Sequence, residues 1–107
     1  MQRGEVYWVH FDPALGGEVK KTRPAVIVSN NAANKAANSV QVVPLTSNVA
    51  RVRPWEALVR IGDEPAKALA DQIRTVAKER IGERVGRLPR VDVLAVEQAI
   101  RVQLGLP

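Results

Sequence analysis

The sequence predicts a small, mostly antiparallel β-barrel that ends in one α-helix. Short β-branched and apolar runs recur along its 107 residues with turn residues between them, which is the pattern of an all-β domain. Only the last apolar stretch has helical spacing. Hydrophobic residues make up 46% of the chain, enough for a core, although aromatic residues are only 4%. At this length we expect a single domain over residues 1–107.

The strands are predicted from their composition and from the turns that separate them. Residues 5–11 form a β-branched and aromatic run, and Gly16 and Gly17 mark the loop that follows it. Pro24 precedes a continuous apolar run at 25–28 and suits the first residue of a buried strand, where no N–H is needed. Further strands are predicted at 40–45, 55–61, 68–76 and 84–88, and single helical turns within 30–38 and at 78–82.

The final helix is predicted to have Pro89 at its first position, where proline is favoured. Apolar side chains cover well over half of its circumference, and Glu97 and Arg101 form an i, i+4 pair in the remaining stripe. A helix this apolar has to bury more than one face. We expect it to pack on the sheet and to approach a second subunit.

The formal net charge is +5, and its distribution is uneven. Residues 19–55 contain six basic residues and no acidic one. Such a stretch is typical of a protein with a polyanionic partner, either nucleic acid or an acidic protein, and equally of a soluble protein with a basic surface. Charge alone therefore leaves both interpretations open.

Several function classes are excluded by composition. The chain has no cysteine, which excludes disulfides, thiolate metal sites and cysteine nucleophiles. Its one histidine, His10, excludes a paired-histidine ribonuclease mechanism. The acidic residues are scattered, so we expect no metal and no cofactor. No apolar run is long enough for a membrane span and the first residues lack a signal-peptide core, so we expect a cytoplasmic protein without membrane contact.

Polar residues at the predicted strand ends are the candidate functional groups, because small barrels present ligand-binding groups there. They are Arg23 before Pro24, Thr46 and Ser47 after the third strand, and residues 71–75 in the fifth. Each one alone is more readily explained by structure, as a surface arginine, a turn cap, or an ion pair between Asp71 and Arg74.

Four ordered blocks of the sequence, however, together resemble the MazF/PemK toxins. They are residues 3–13 (RGEVYWVHFDP), Gly17 and Glu18 followed by 21–29 (KTRPAVIVS), 43–47 (VPLTS) and 68–76 (ALADQIRTV). The resemblance covers residues 3–88 and continues into the C-terminal helix. One departure is His10, where the family's first strand commonly has an acidic residue. A strand histidine is more often structural, so we leave His10 out of the catalytic set.

The resemblance implies an SH3-like barrel of the CcdB/MazF type, with about five to seven short antiparallel strands and a C-terminal helix. It also implies a type II toxin that works as a homodimer, cleaves single-stranded messenger RNA without a metal, and is held inactive by a cognate antitoxin. The family's catalytic arginine and threonine correspond to Arg23 and Thr46. The positions that match residues near the family's RNA groove are Glu18, Ser47, Asp71 and Gln72.

The acid-free stretch is the expected RNA-binding surface. Lys20 and Lys21 lie in the glycine-containing loop, and Arg51 and Arg53 follow Ser47 within one loop. A basic groove also favours an antitoxin with an acidic, disordered tail. The candidates for stacking on bases are Trp8, Phe11 and Trp55. In a chain so poor in aromatic residues, however, these are more readily core residues.

The implied chemistry suits a chain with few titratable groups, because RNA carries its own nucleophile in the 2′-OH. In-line attack gives a 2′,3′-cyclic phosphate or a 3′-phosphate, and a 5′-OH. Arg23 is suited to binding the phosphate oxygens, and Thr46 to donating a hydrogen bond to them. Glu18 or Asp71 is a chemically easier base than arginine.

Two alternatives remain at the level of sequence. A CcdB-like toxin that poisons gyrase has the same fold, but such toxins end in Trp-Gly-Ile, and this chain ends in Leu104-Gly105-Leu106-Pro107. A non-catalytic RNA-binding barrel is the second alternative. Incubation with single-stranded RNA in EDTA separates the three functions.

Overall fold

The computed structural model describes residues 1–11 and 21–107, and this part of the chain forms seven strands and two α-helices. The strands are β1 (Glu5–His10), β2 (Thr22–Ile27), β3 (Ser39–Thr46), β4 (Glu56–Ile61), β5 (Glu64–Leu69), β6 (Arg74–Ala77) and β7 (Ile81–Arg87). The helices are the short α1 (Asn31–Ala36) and the C-terminal α2 (Arg90–Leu104).

The strands form one curled, antiparallel sheet that makes a half-barrel. Its order is β4-β5-β3-β2-β1-β7, and β6 pairs with the first half of β3. The fold class predicted from the sequence is therefore confirmed: the protein is mostly β, with a helix at its C-terminal end.

The apolar run in β2 is buried on both faces of the sheet, as the sequence predicted. Successive strand residues point to opposite faces. Val26 accordingly belongs to a core cluster that includes Val96 and Ala99 of α2. Ala25 and Ile27 belong to a second cluster, which is built around Phe11. The sheet thus separates two apolar layers, and β2 and β3 contribute to both.

The central strand β3 changes partners near its end. It pairs with β6 over Ser39 to Val42 and with β5 at Leu45 and Thr46. Pro44 lies between these two ladders and has no N–H that would be left unpaired there. The change of partner carries the end of β3 to the place where the candidate site lies.

Helix α2 ends in a left-handed cap and keeps part of its surface exposed. Gly105 has a φ of 66°, and its N–H and that of Leu106 bond back to carbonyls of the last turn. Four apolar side chains of α2 are exposed: Val91, Leu94, Val102 and Leu104. Pro89 is the residue before the helix rather than its first residue, which places the helix start at Arg90.

Three further sequence expectations differ from the structure. The predicted fifth strand at 68–76 is interrupted by a 3₁₀ turn at Ala70–Gln72, which separates β5 from β6. The strand β2 begins at Thr22, so Pro24 lies within it, paired with Trp8. Trp8 is 43% exposed, so the expectation that it is a core residue is wrong.

Candidate active site

A cavity of about 540 Å³ opens beside β1, β2 and the end of β3. Its lining residues are Trp8, Lys21, Thr22, Arg23, Pro24, Leu45 and Ser47, and we call it the charged cavity. A neighbouring apolar cavity of about 630 Å³ shares Trp8 and Pro24 with it. Trp8 therefore stands between a cationic pocket and an apolar one.

Arg23 contributes a cation without a full set of partners. It lies in β2 opposite Val9 and is half-buried. Its Nε is buried and has no hydrogen-bond partner in the part of the chain that the structure describes. Buried polar atoms are nearly always paired, so an unpaired guanidinium nitrogen beside a cavity is suited to an anionic ligand.

Thr46 and Arg23 lie just beyond the ladder between β2 and β3, whose last pair is Ala25 with Pro44. The same register extended by two residues would set Thr46 opposite Arg23, and cross-strand partners share a face of the sheet. Thr46 is not among the residues that line the charged cavity, whereas its neighbour Ser47 is. Thr46 is thus next in the chain to two residues that line the cavity, Leu45 and Ser47.

The hydroxyl of Thr46 is oriented by its own loop. Its Oγ1 accepts a hydrogen bond from the backbone N–H of Asn48 at 3.2 Å. An oxygen that accepts this bond still has its own hydrogen to donate. Thr46 can therefore donate to a phosphate oxygen while the loop holds it.

Two of the other predicted RNA-binding residues, Lys21 and Ser47, line the charged cavity. Ser47, Arg51 and Arg53 are exposed in the loop after β3. Lys21 and Arg51 both have a φ of 60°, and they are the non-glycine residues with positive φ in the described ranges. This conformation costs about 1–3 kcal/mol and is concentrated at functional sites.

Asp71 and Gln72 lie on the 3₁₀ turn after β5, outside the lining of the charged cavity. Asp71 is exposed, and none of the ion pairs within 1–11 and 21–107 joins it to Arg74. Arg74 instead lies over the ring of Phe11, 5.4 Å from its centre. The ion pair considered for Asp71 and Arg74 in the sequence analysis is therefore not formed.

His10 contacts the cavity wall through Thr22. Its Nδ1 lies 2.7 Å from the Thr22 hydroxyl, at the position where β1 and β2 pair these two residues. This contact gives His10 a structural partner. The remaining predicted site residues, Glu18 and Lys20, fall in the segment 12–20, which is outside the described residues.

A buried ion pair lies beneath the loop after β3, and the sequence analysis missed it. Lys67 Nζ lies 3.3 Å from Glu56 Oε1, and both side chains are almost fully buried. Burial acts to raise the pKa of Glu56, but the N–H of Arg53 and the ammonium of Lys67 together hold it below the ordinary value. The signal in the sequence was a lysine between two alanines, directly before the predicted strand at 68–76.

A second ion pair joins β1 and β7. Arg84 Nε donates to Glu5 Oε2 at 2.8 Å, and Tyr7 donates to the other carboxylate oxygen. Burial acts to raise the pKa of Glu5, but the N–H of Gln2 and the Arg84 and Tyr7 contacts lower it overall. Burial and the adjacent carboxylate raise the pKa of Tyr7.

Residues 1–11 and 21–107 contain no group of three or more His, Asp or Glu side chains placed to hold a metal ion. They also contain no helix long and apolar enough to span a membrane.

The half-barrel and the cavity lined by Lys21 and Arg23 at the end of its central strand define a small β-fold protein with a basic cavity. The chain belongs to the family of PemK-like, MazF-like toxins of type II toxin–antitoxin systems, whose model matches residues 2–104. This confirms the family resemblance drawn from the sequence blocks.

Individual relatives align over nearly the whole chain. Endoribonuclease MazF9 of Mycobacterium tuberculosis is 38% identical over 99% of this chain and 98% of its own. A solved mycobacterial endoribonuclease in complex with its cognate antitoxin superposes with a TM-score of 0.85 at 29% identity, covering 100% of this chain and 97% of that one. MazF from Deinococcus radiodurans superposes with a TM-score of 0.87 at 27% identity, over 99% and 97% of the two chains.

Proposed function

We propose that this protein is a toxin endoribonuclease that cleaves single-stranded messenger RNA and thereby stops translation. The observation that carries the proposal is Arg23 in the lining of the charged cavity, with its Nε buried and unpaired among the described residues. Thr46 lies on the neighbouring strand, two residues beyond the ladder between β2 and β3. The relatives named endoribonuclease MazF, which align over 99% of this chain, support the same activity.

In the proposed reaction, the 2′-oxygen of a ribose attacks the adjacent phosphorus, and the bond from phosphorus to the 5′-oxygen breaks. The 2′-OH gives up its proton to a base, and the departing 5′-oxygen takes up a proton. The products are a 2′,3′-cyclic phosphate, which opens to a 3′-phosphate on hydrolysis, and a 5′-OH. The reaction uses the nucleophile of the RNA itself, so the protein has to align groups, stabilise charge and move protons.

The two proposed catalytic residues divide the charge stabilisation between them. The guanidinium of Arg23 binds two phosphate oxygens through its planar fork. The hydroxyl of Thr46 donates to one of these oxygens from the neighbouring strand. Loss of one such donor typically costs about 10²–10³ in rate. Asp71 and Glu18 remain the candidate bases, since a carboxylate accepts the 2′-OH proton more readily than arginine does.

The RNA strand is proposed to run from the charged cavity across the loop after β3. Lys21, Arg51 and Arg53 supply positive charge along this line, and Lys20 extends it in sequence. Trp8 offers an exposed ring between the two cavities, and bases of single-stranded RNA commonly stack on such rings. In this arrangement the phosphates occupy the charged cavity on one side of Trp8, and a base stacks on its ring next to the apolar cavity.

The decisive experiment is cleavage of a long single-stranded RNA in EDTA. We expect cleavage to persist, since the proposed charge stabilisation comes from Arg23 and Thr46. An otherwise identical RNA with 2′-deoxyribose on the 5′ side of the cut should resist cleavage, because its nucleophile is missing. A mobility shift without cleavage would instead indicate a non-catalytic RNA-binding barrel. Inhibition of gyrase, with neither RNA cleavage nor a mobility shift, would indicate a gyrase poison.

The proposal extends to the partners of the toxin. A structural neighbour was solved with its cognate antitoxin, which supports an antitoxin partner for this chain too. We expect the antitoxin's acidic, disordered tail to compete with RNA for the basic surface, with an affinity that weakens as salt rises. The exposed apolar side chains of α2 favour a homodimer. The cytoplasm, where messenger RNA is translated, is the proposed site of action.

A further inference from the structure

We propose that Lys67 is a positioning residue for Thr46: its buried ammonium, held by Glu56, fixes the loop 47–55 and through it the Thr46 hydroxyl. The inference rests on the proposed function, because it concerns the geometry of the cleavage site. Lys67 is proposed to contact neither the RNA nor the reacting atoms and to act only through the loop.

The ion pair is placed where a charge is costly unless it has partners. Lys67 is in β5 and is 6% exposed. Its ammonium has three acceptors: Glu56 Oε1 at 3.3 Å, the Ala50 carbonyl at 3.1 Å and the Arg51 carbonyl at 3.4 Å. Two of these belong to the loop after β3. A buried lysine with this set of partners is therefore an anchor for that loop.

A continuous path of hydrogen bonds leads from the anchor to Thr46. The N–H of Ala50 donates to the side-chain oxygen of Asn48 at 3.2 Å. The N–H of Asn48 in turn donates to the Thr46 hydroxyl oxygen at 3.2 Å. Lys67 holds the Ala50 carbonyl at the other end. We call this path, from Glu56 through Lys67, Ala50 and Asn48 to Thr46, the loop relay.

The half of the loop nearest Thr46 depends on this anchor, because the loop's other backbone hydrogen bonds within the described residues lie at its far end. There the Arg53 N–H donates to Glu56 Oε1 and the Trp55 carbonyl accepts from the Ala70 N–H.

Thr46 and Lys67 form the last pair of the ladder between β3 and β5. Beyond that pair, the residues 47–55 belong to no strand, and Arg51 has a left-handed conformation that a non-glycine residue rarely adopts. An unanchored loop would relax, and Thr46 Oγ1 would lose the bond that orients it. Small displacements of this kind cost up to about 100-fold in rate.

The first test replaces the ion pair with two neutral side chains. The single change Lys67→Met leaves the buried Glu56 carboxylate with the Arg53 N–H but without its counter-charge, which can prevent folding. The double variant Glu56→Gln/Lys67→Met avoids that charge. We expect it to fold and to lose about tenfold or more in kcat. Wild-type kcat in the folded double variant would overturn the proposal. Lys78→Met is the matched control, because Lys78 donates to the backbone carbonyl of Asn34 and not to the loop.

The second test breaks the relay at Asn48, which is exposed and distant from the ion pair along the path. Asn48→Ala should lower kcat by a similar factor, whereas Asn48→Ser keeps an acceptor for the Ala50 N–H and should keep most of the activity. In the Glu56→Gln/Lys67→Met background, Asn48→Ala should cost little more. The relay would be overturned if the losses in kcat of Asn48→Ala and of Glu56→Gln/Lys67→Met multiply when the changes are combined. It would also be overturned if kcat of Asn48→Ser is as low as that of Asn48→Ala.

A third measurement does not depend on cleavage. Amide hydrogen exchange at Asn48 and Ala50 should be faster in Glu56→Gln/Lys67→Met than in the wild type and unchanged in Lys78→Met. If exchange at both amides is unchanged in Glu56→Gln/Lys67→Met, Lys67 does not anchor the loop, whatever the RNA-cleavage activity of the variant. A wild-type protein that does not cleave RNA would refute the proposed function and the role of Thr46 in it, and exchange would still decide whether Lys67 holds the loop.

Discussion

Arg23 is predicted to favour activity at the expense of stability. Its buried Nε has no partner within residues 1–11 and 21–107, and a buried group left unpaired costs about 1–3 kcal/mol. Arg23→Ala should therefore leave the melting temperature unchanged or raise it, while RNA cleavage falls by about 100-fold or more. Arg23→Lys should recover only part of the activity, because an ammonium has no planar fork for two phosphate oxygens.

The same measurements apply to Thr46, and they separate catalysis from folding. Thr46→Ala should also lower cleavage about 100-fold with little change in melting temperature. Arg101→Ala, on the exposed part of α2, is the control and should behave as wild type in both assays. Near wild-type cleavage by either site variant would show that its residue is not part of the catalytic pair.

Arg23 and Thr46 are candidates from the family blocks, and their catalytic role stays a prediction. Arg23 lines the charged cavity, whereas Thr46 does not. The exposure of Trp8 was not predictable, because it depends on where the core ends: Val6, on the same face of β1, is in the cluster beneath α2, and Trp8 is beyond it. Lys67 was missed because an ion pair with Glu56 depends on which strands become neighbours.

At the level of elements, the sequence predicted the apolar strands and the final helix but not the breaks between ladders. The run 68–76 has strand composition throughout, yet the chain turns at Ala70–Gln72. The break follows from tertiary pairing, since β5 and β6 meet different parts of β3. Asp71 is consequently on a turn rather than in a strand, which is the reason that its position relative to the site was not predictable.

The two ion pairs that join strands predict sensitivity to acid. Glu5 and Glu56 both have a pKa below the ordinary value of 4.5 in the folded protein. A carboxyl group with a lowered folded-state pKa stabilises the fold above its unfolded-state pKa, and this stability is lost as pH falls through the folded-state value. We therefore expect the free energy of unfolding to decline as pH falls below about 4.5.

Urea denaturation at several pH values measures this effect. Glu56→Gln/Lys67→Met should show a shallower decline with acid than the wild type, because one of the two titrating carboxyl groups is gone. Gln98→Glu adds a carboxyl group at an exposed position of α2 and should leave the slope as it is. Equal slopes in the double variant and the wild type would contradict the assignment of acid sensitivity to Glu56.

For the whole molecule, the exposed apolar side chains of α2 predict self-association. Val91 is 71% exposed and Leu94 46% exposed, although both are apolar. A closed dimer would remove such side chains from water. We expect sedimentation at about twice 11.7 kDa at micromolar concentration. Leu94→Glu should shift the protein towards the monomer, whereas Gln103→Glu adds the same charge at a polar position of the helix and should not.

The monomeric mass for the wild type at that concentration would refute the dimer. It would leave the cleavage chemistry unaffected, because Arg23 and Thr46 come from one chain.

The change of hydrogen-bonded partner strand along β3 affects the order in which parts of the protein unfold. This strand is hydrogen-bonded to β2 on one edge and to β6 and then β5 on the other. Thr46 is at its end, joined to β5 and two residues beyond the ladder with β2. Fraying of the terminal helix or of the outer strand β7 would leave this junction intact. The site and the most enclosed strand would thus be lost in one cooperative step, so a partly unfolded molecule would still carry an assembled cleavage site.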